Sequence, residues 1–353
     1  MADDFCKNLS NAVYLQEKEG DIFYQPCCWV PLSTIPIRQK LDLNIARMQV
    51  LGNVKSNVEK NCNQCLSRER TQFNRSHRIT ANSLIPDSAQ YNDPYTLTLQ
   101  VDTTCNAACV TCGPNYSSLW KKQLDPNAKL DNFESQYQII FQSVDFKHIK
   151  KILFVGGEPF LSSHNTTVLS KVNDPSNVEL SYTTNGSVFP SDDVIELWKN
   201  FKEVTIVFSI DGTEEQFEYL RWPLSWRKIN ETINRCTEFS SKGNFKFLIN
   251  TTINPLNIFY FDRVESWSKN FPIRSVMTSA CNGIWGVEAT PMKMRMHIEE
   301  KYGSDHRLVG LLKSYPEQPE KFSLLLDNAM ELDIKRRLDY TTVFSEALRI
   351  IAH

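Results

Sequence analysis

Val101-Asp102-Thr103-Thr104-Cys105-Asn106-Ala107-Ala108-Cys109-Val110-Thr111-Cys112 places three thiols within eight residues. The run before it, residues 95–101, alternates. Leu97, Leu99 and Val101 point one way and the intervening side chains the other, as a half-buried β-strand requires. A CxxxCxxC loop at the carboxyl end of such a strand can fold three sulfurs towards one point. A closed structural zinc site takes four protein ligands. Three thiols suit a [4Fe–4S] cube better, because such a cube is normally held by four Cys thiolates and here keeps one iron free to bind something else.

Outward from this loop the chain repeats a theme. After Ile152-Leu153-Phe154-Val155 comes Gly156-Gly157-Glu158-Pro159. Thr183-Thr184-Asn185-Gly186 closes a strand over 178–182, and Phe208-Ser209-Ile210-Asp211-Gly212 closes one over 204–209. A strand over 245–249 leads into Asn250-Thr251-Thr252-Ile253-Asn254, and 273–278 reads as a sixth. Helical patterns fall between them at 116–123, 133–144, 192–201, 226–239 and 257–269. Strands alternating with helices argue for parallel βα units, whose functional groups collect at the carboxyl ends of the strands.

These residues resemble the radical S-adenosylmethionine (radical SAM) family, whose hallmark is CxxxCxxC after the first strand of a partial barrel. The resemblance implies an α/β fold, a partial (β/α)6 TIM-like barrel over residues 93–290. It implies a [4Fe–4S] cluster on Cys105, Cys109 and Cys112 whose unique iron chelates SAM. It further implies SAM contacts from Gly156, Gly157 and Glu158, from Asn185, Ser209 and Asp211 near the ribose, from Arg221 at the SAM carboxylate, and from Asn250 and Thr252 at adenine and ribose. Where the family usually has an aromatic or bulky apolar residue before the last Cys, this chain has Thr111. The implied activity is reductive cleavage of SAM to a 5′-deoxyadenosyl radical that abstracts a substrate hydrogen atom.

Residues 1–92 read as a separate module with Cys6, Cys27, Cys28, Cys62 and Cys65, and Gly20-Asp21 marks a hairpin-like turn. Four Cys with a CxxC pair suit tetrahedral zinc as well as an iron–sulfur cluster. The arrangement of Cys6, Pro26-Cys27-Cys28-Trp29 and Cys62-Asn63-Gln64-Cys65 with Glu69, Ser76 and Arg78 resembles the auxiliary-cluster module called twitch, a shortened SPASM domain. The run from Cys112-Gly113-Pro114 to Ser117, Ser118 and Trp120 resembles twitch-bearing relatives too. The implied second [4Fe–4S] cluster sits on Cys6, Cys27 (or Cys28 instead), Cys62 and Cys65, saturated with protein ligands and suited to electron transfer. Residues 81–93 read as a linker. Residues 291–353 form a helical tail in which Met294, His297 and Ile298 share one face, and Leu324, Leu325, Ala329 and Leu332 another. Cys236 reads as a buried small hydrophobe, and Cys281, after the sixth strand, as a candidate hydrogen-atom donor.

The formal net charge of −2, from 39 basic and 41 acidic residues, provides no global field for nucleic acid or an anionic membrane. The basic stretch from Arg68 to Arg78 is interrupted by Glu69 and reads as a solvated face. No apolar run approaches the ~18 residues of a membrane span, and the start has no signal-peptide pattern, so a cytoplasmic protein is expected. Ten cysteines in that setting speak for metal or redox chemistry. The reading is an oxidoreductase or maturase that modifies a peptide or protein by oxidation, cross-linking or epimerisation, supplied by a flavodoxin- or ferredoxin-type donor. Competing readings are a carbohydrate- or nucleotide-type small-molecule dehydrogenase or epimerase, and a non-catalytic zinc or iron–sulfur protein.

Overall fold

The computed structural model describes residues 6–70, 76–89, 93–130, 132–239, 243–280 and 283–352. Eight strands form one sheet: β1 (Ala12–Lys18), β2 (Asp21–Gln25), β3 (Thr96–Gln100), β4 (Lys151–Phe154), β5 (Glu179–Thr184), β6 (Glu203–Ser209), β7 (Phe245–Ile253) and β8 (Ile273–Ala280). Their order is β2-β1-β3-β4-β5-β6-β7-β8, with β2 and β8 at the edges. Only β1 and β2 pair antiparallel; all other neighbours are parallel. The six expected parallel strands are therefore β3 to β8, in chain order across an open sheet.

Alternation decides the two faces. Leu97, Leu99 and Val101 are buried in a core shared with Tyr137 and Ile140 of the helix Glu134–Ser143. Thr96, Thr98 and Gln100, with Leu153 and Val155, line a cavity of ≈ 850 Å³ on the opposite face. A second core lies under the C-terminal helices, where Met294, Ile298, Leu308, Leu325, Ala329 and Leu332 pack with Tyr219, Leu220 and Val110. Val110 belongs to the cysteine loop, so the tail helices bear directly on it. No helix among the described residues is long and apolar enough to cross a membrane.

The structure differs from the sequence reading at five places. The predicted hairpin is present, but it joins the main sheet: β1 lies parallel to β3 with Leu15 opposite Leu99. The helix Lys40–Ser56 was not anticipated; Gln39 and Asp42 form its capping box. Residues 81–84, expected in a linker, complete the helix His77–Leu84, because the Ser76 hydroxyl accepts from the Ile79 N–H at 3.0 Å and caps its start. Strand β7 continues through Ile253, since Thr251 and Ile253 extend its buried face, so Asn250 and Thr252 lie within a strand. On the tail, Leu325, Ala329 and Leu332 are buried, whereas Leu324 is 52% exposed and leaves that face.

Continuity of β1 with the sheet has a thermodynamic consequence. Leu15 is fully buried against both β2 and β3, so Leu15→Ala should cost about 2–5 kcal/mol. Urea denaturation should show one transition moved to lower denaturant; two transitions with only the first displaced would mean that the hairpin folds apart from the sheet.

Candidate functional site

The cysteine loop is held from all sides by main-chain and hydroxyl contacts. The Ser118 hydroxyl accepts from the Cys105 N–H at 2.9 Å, and the Ser117 hydroxyl donates to the Ala107 carbonyl at 2.5 Å. Trp120 Nε1 donates to the Cys109 carbonyl at 2.8 Å. From the far side, the Ala108 N–H donates to the Trp222 carbonyl and the Val110 N–H to that of Leu220, at 2.7 and 2.9 Å. The Ser117-Ser118-Trp120 run thus acts as a clamp on the loop. Its Ser117 hydroxyl also caps the helix Ser118–Leu124.

Gly156 and Gly157 form a ledge under this loop. A Cβ on Gly156 would lie 2.7 Å from the Asp102 carbonyl oxygen, and one on Gly157 only 2.2 Å from that of Thr104. Gly156 also has φ +123°, a conformation that other residues rarely adopt. Only two successive glycines allow this approach. The Gly157 and Glu158 N–H groups use it to donate to the Asp102 and Thr104 carbonyls at 3.0 and 2.8 Å.

Glu158 is 1% exposed, and its carboxylate accepts from the Thr184 hydroxyl and the Asn185 N–H, both at 2.7 Å, and from the Phe160 N–H at 3.2 Å. Burial pushes its carboxyl up to about 7 despite these donors. Glu158 thereby fixes Asn185, whose Nδ2 lies 3.9 Å from Cys105 Sγ and donates to Asn106 Oδ1 at 3.0 Å.

Asp211 and Arg221 form a buried ion pair of 2.8 Å. Asp211 also accepts from the Thr252 N–H at 2.8 Å. Burial works against the charge on Arg221, but Asp211 and Cys109 outweigh it and hold the guanidinium charged. Arg221 Nη1 lies 3.8 Å from Cys109 Sγ. Asn250 donates to the Ser279 hydroxyl at 3.1 Å, and Ser209 sits buried opposite Asn250 at the end of β6. The sheet therefore gathers Glu158, Asn185, Ser209, Asp211, Asn250 and Thr252 at its carboxyl end. Burial pushes Cys105 and Cys112 up to about 12 and raises Cys109 as well. Such sulfurs lose their protons only when a cation replaces them.

The N-terminal cysteines assemble separately. Cys6, Cys27, Cys62 and Cys65 border one small cavity together with Arg78; Cys28 does not, although it and Cys27 both line the large cavity beside the sheet. Burial pushes Cys6 up to about 12 and Cys62 to about 11, with the neighbouring thiols adding to it. Arg78 is paired with Glu69, which also accepts from the Ser76 hydroxyl. Among the described residues no three His, Cys, Asp or Glu side chains are gathered so as to hold a single metal ion.

Cys236 is 1% exposed within the helix Trp226–Thr237, and Cys281 lies outside the described residues. Two neighbours of the loop escaped the sequence reading. His164 stacks on Tyr137 with its Nδ1 3.9 Å from Asp102 Oδ2. Arg336, at the end of the helix Pro319–Arg336, donates to the Ala108 carbonyl at 2.8 Å. Neither has a local signal, since both reach the loop only through packing.

Residues 100–258 match the family model described as the Radical SAM superfamily. No curated protein matches the sequence. Among solved structures, Streptococcus suis SuiB bound to S-adenosylmethionine aligns at 13% identity and TM-score 0.42, over 73% of this chain and 52% of that one. Native anSMEcpe with bound AdoMet aligns at 14% identity and TM-score 0.37, over 63% and 62%. The chain thus spans about half the length of the SuiB chain that it matches.

The ledge can be tested by sterics alone. Gly157→Ala should displace the Thr104 segment and lower the iron bound per chain after anaerobic reconstitution, whereas Gly113→Ala, with nothing within 4 Å of the added Cβ, should leave it unchanged. Equal iron in both variants would mean that the ledge does not position the cysteine loop.

Proposed function

We propose that the protein is a radical SAM enzyme that modifies a peptide or protein, by oxidation, cross-linking or epimerisation, with a second iron–sulfur cluster as electron conduit. One observation carries the proposal: three thiols on a clamped loop at the end of β3, two of them facing side-chain N–H donors from Asn185 and Arg221. Such donors favour thiolate ligands, and three ligands leave the open iron position that SAM requires. When a [4Fe–4S] cluster and SAM are bound, they supply a 5′-deoxyadenosyl radical that takes a hydrogen atom from the substrate.

The chain's own residues orient and enclose. Glu158 locks Thr184 and Asn185 at the loop, and Gly156 and Gly157 let main chain approach closely. Asp211 holds Arg221 charged beside Cys109, where a carboxylate ligand would find it, and orders the Thr252 main chain next to Ser209 and Asn250. The cavity against Thr98, Gln100, Leu153 and Val155, on the face of the sheet away from the helix Glu134–Ser143, offers room for substrate.

The convergence of Cys6, Cys27, Cys62 and Cys65 on one cavity supports the auxiliary cluster, with Cys27 rather than Cys28 as ligand. Four protein ligands leave it no iron for substrate, so electron transfer is the role that remains. A cavity of ≈ 850 Å³ falls in the range of small-molecule sites and favours a small-molecule dehydrogenase as the second reading.

Anaerobic reconstitution followed by SAM and dithionite should yield 5′-deoxyadenosine and about eight irons per chain. Replacing Cys105, Cys109 and Cys112 by Ala should abolish deoxyadenosine while retaining the auxiliary iron; replacing Cys62 and Cys65 should roughly halve the iron. A triple variant that still cleaves SAM would refute the assignment of the radical cluster, and unchanged iron without Cys62 and Cys65 would refute the auxiliary one.

A further inference from the structure

Arg336 reaches the cysteine loop from 228 residues away in sequence. It is 6% exposed. One Nη2 donates to the Ala108 carbonyl at 2.8 Å and to Gln123 Oε1 at 3.0 Å. Its guanidinium lies over two indoles, 4.8 Å from the ring centre of Trp120 and 5.1 Å from that of Trp222. Both indole residues are themselves tied to the loop, Trp120 through the Cys109 carbonyl and Trp222 through the Ala108 N–H.

The remaining nitrogens do not fit a purely structural role. Nε and Nη1 are buried without a hydrogen-bond partner, and among the described residues no carboxylate lies within ion-pairing distance. A buried, unpaired cation is costly unless a negative group stands nearby. Burial works against the charge on Arg336 and pushes the guanidinium down to about 10, while Cys109, Tyr219 and Asp333 act in its favour. Arg221 also faces Cys109, but its charge is compensated by Asp211 at 2.8 Å. Arg336 thus stands beside the loop with no carboxylate in ion-pair contact among the described residues, Asp333 of its own helix acting on it without a direct bridge.

We propose that Arg336 is a positioning residue through which the C-terminal helix sets the reduction potential of the cluster on Cys105, Cys109 and Cys112. The inference rests on the radical SAM reading. Uptake of one electron from a low-potential reductant adds one negative charge to the cluster, and no bond in the protein is made or broken. A fixed cation in a poorly solvated site stabilises the more negative form and raises the potential. Held between two indoles that clamp the same loop, the charge stays in place when the loop is loaded. The tail thereby takes part in making the cluster reducible.

The test uses the full chain, reconstituted anaerobically without SAM and titrated with dithionite while the paramagnetic signal of the loop cluster is followed. Arg336→Gln should lower the midpoint potential, and Arg336→Lys, which keeps the charge, should stay closer to wild type. Gln123→Glu places a negative charge against the unaltered guanidinium and should lower the potential too. It decides the matter if Arg336→Gln fails to hold a cluster. An Arg336→Gln protein titrating with wild type, or an Arg336→Lys protein falling as far as Arg336→Gln, overturns the inference. A wild-type chain that takes up no cluster overturns the reading beneath it.

Discussion

With the Cβ of any larger residue, Gly157 would stand 2.2 Å from the Thr104 carbonyl oxygen, and Gly156 would meet that of Asp102. This main-chain contact between the end of β4 and the loop after β3 controls much of what surrounds it. It brings Glu158 beneath the cysteine loop, and Glu158 in turn holds Thr184 and Asn185 at the end of β5. Three consecutive strand ends are joined through one residue, the main-chain N–H of Glu158 reaching the loop after β3 and its carboxylate the end of β5. Loops at the ends of parallel strands are otherwise free to vary, and a site built on them needs such ties to hold its geometry.

Charge around the loop is arranged in two ways. Asp211 and Arg221 neutralise one another in a buried pair that also orders Thr252 on β7. Arg336 makes no ion-pair contact among the described residues, and the aromatic faces of Trp120 and Trp222, together with Cys109, Tyr219 and Asp333, offset the burial of its charge. The sulfurs are pushed towards the thiol form by burial, so cations and N–H donors around them work in the opposite direction. A protein that gathers thiols in a poorly solvated place needs such groups if those thiols are to serve as ligands.

The second thiol group shows how the N-terminal segment is tied in. Cys27 follows β2, whose partner β1 lies against β3, so the hairpin carries that thiol group beside the same sheet that ends in Cys105. From the other side, Tyr315 in the tail reaches Gln64, between Cys62 and Cys65, with its hydroxyl 3.4 Å from the amide oxygen. The tail therefore touches both cysteine groups, Arg336 at one and Tyr315 at the other.

Much of this was legible in one dimension. Alternation placed β3 and assigned Leu97 and Leu99 to the buried face, and short apolar runs closing in polar motifs placed the parallel strands after it, because such patterns are local properties of the chain. The spacing of Cys105, Cys109 and Cys112 and the glycine pair pointed to the loop and its ledge, since residue types that only a tight main-chain approach requires mark their own positions. Packing alone decided the rest. The hairpin's place beside β3, the turn of Cys27 rather than Cys28 towards the other thiols, the capture of Glu158 by Asn185 and the arrival of Arg336 at Ala108 join residues far apart in the chain. No local pattern encodes such partners, because a buried charge or thiol acquires its meaning from whatever the folded chain brings against it.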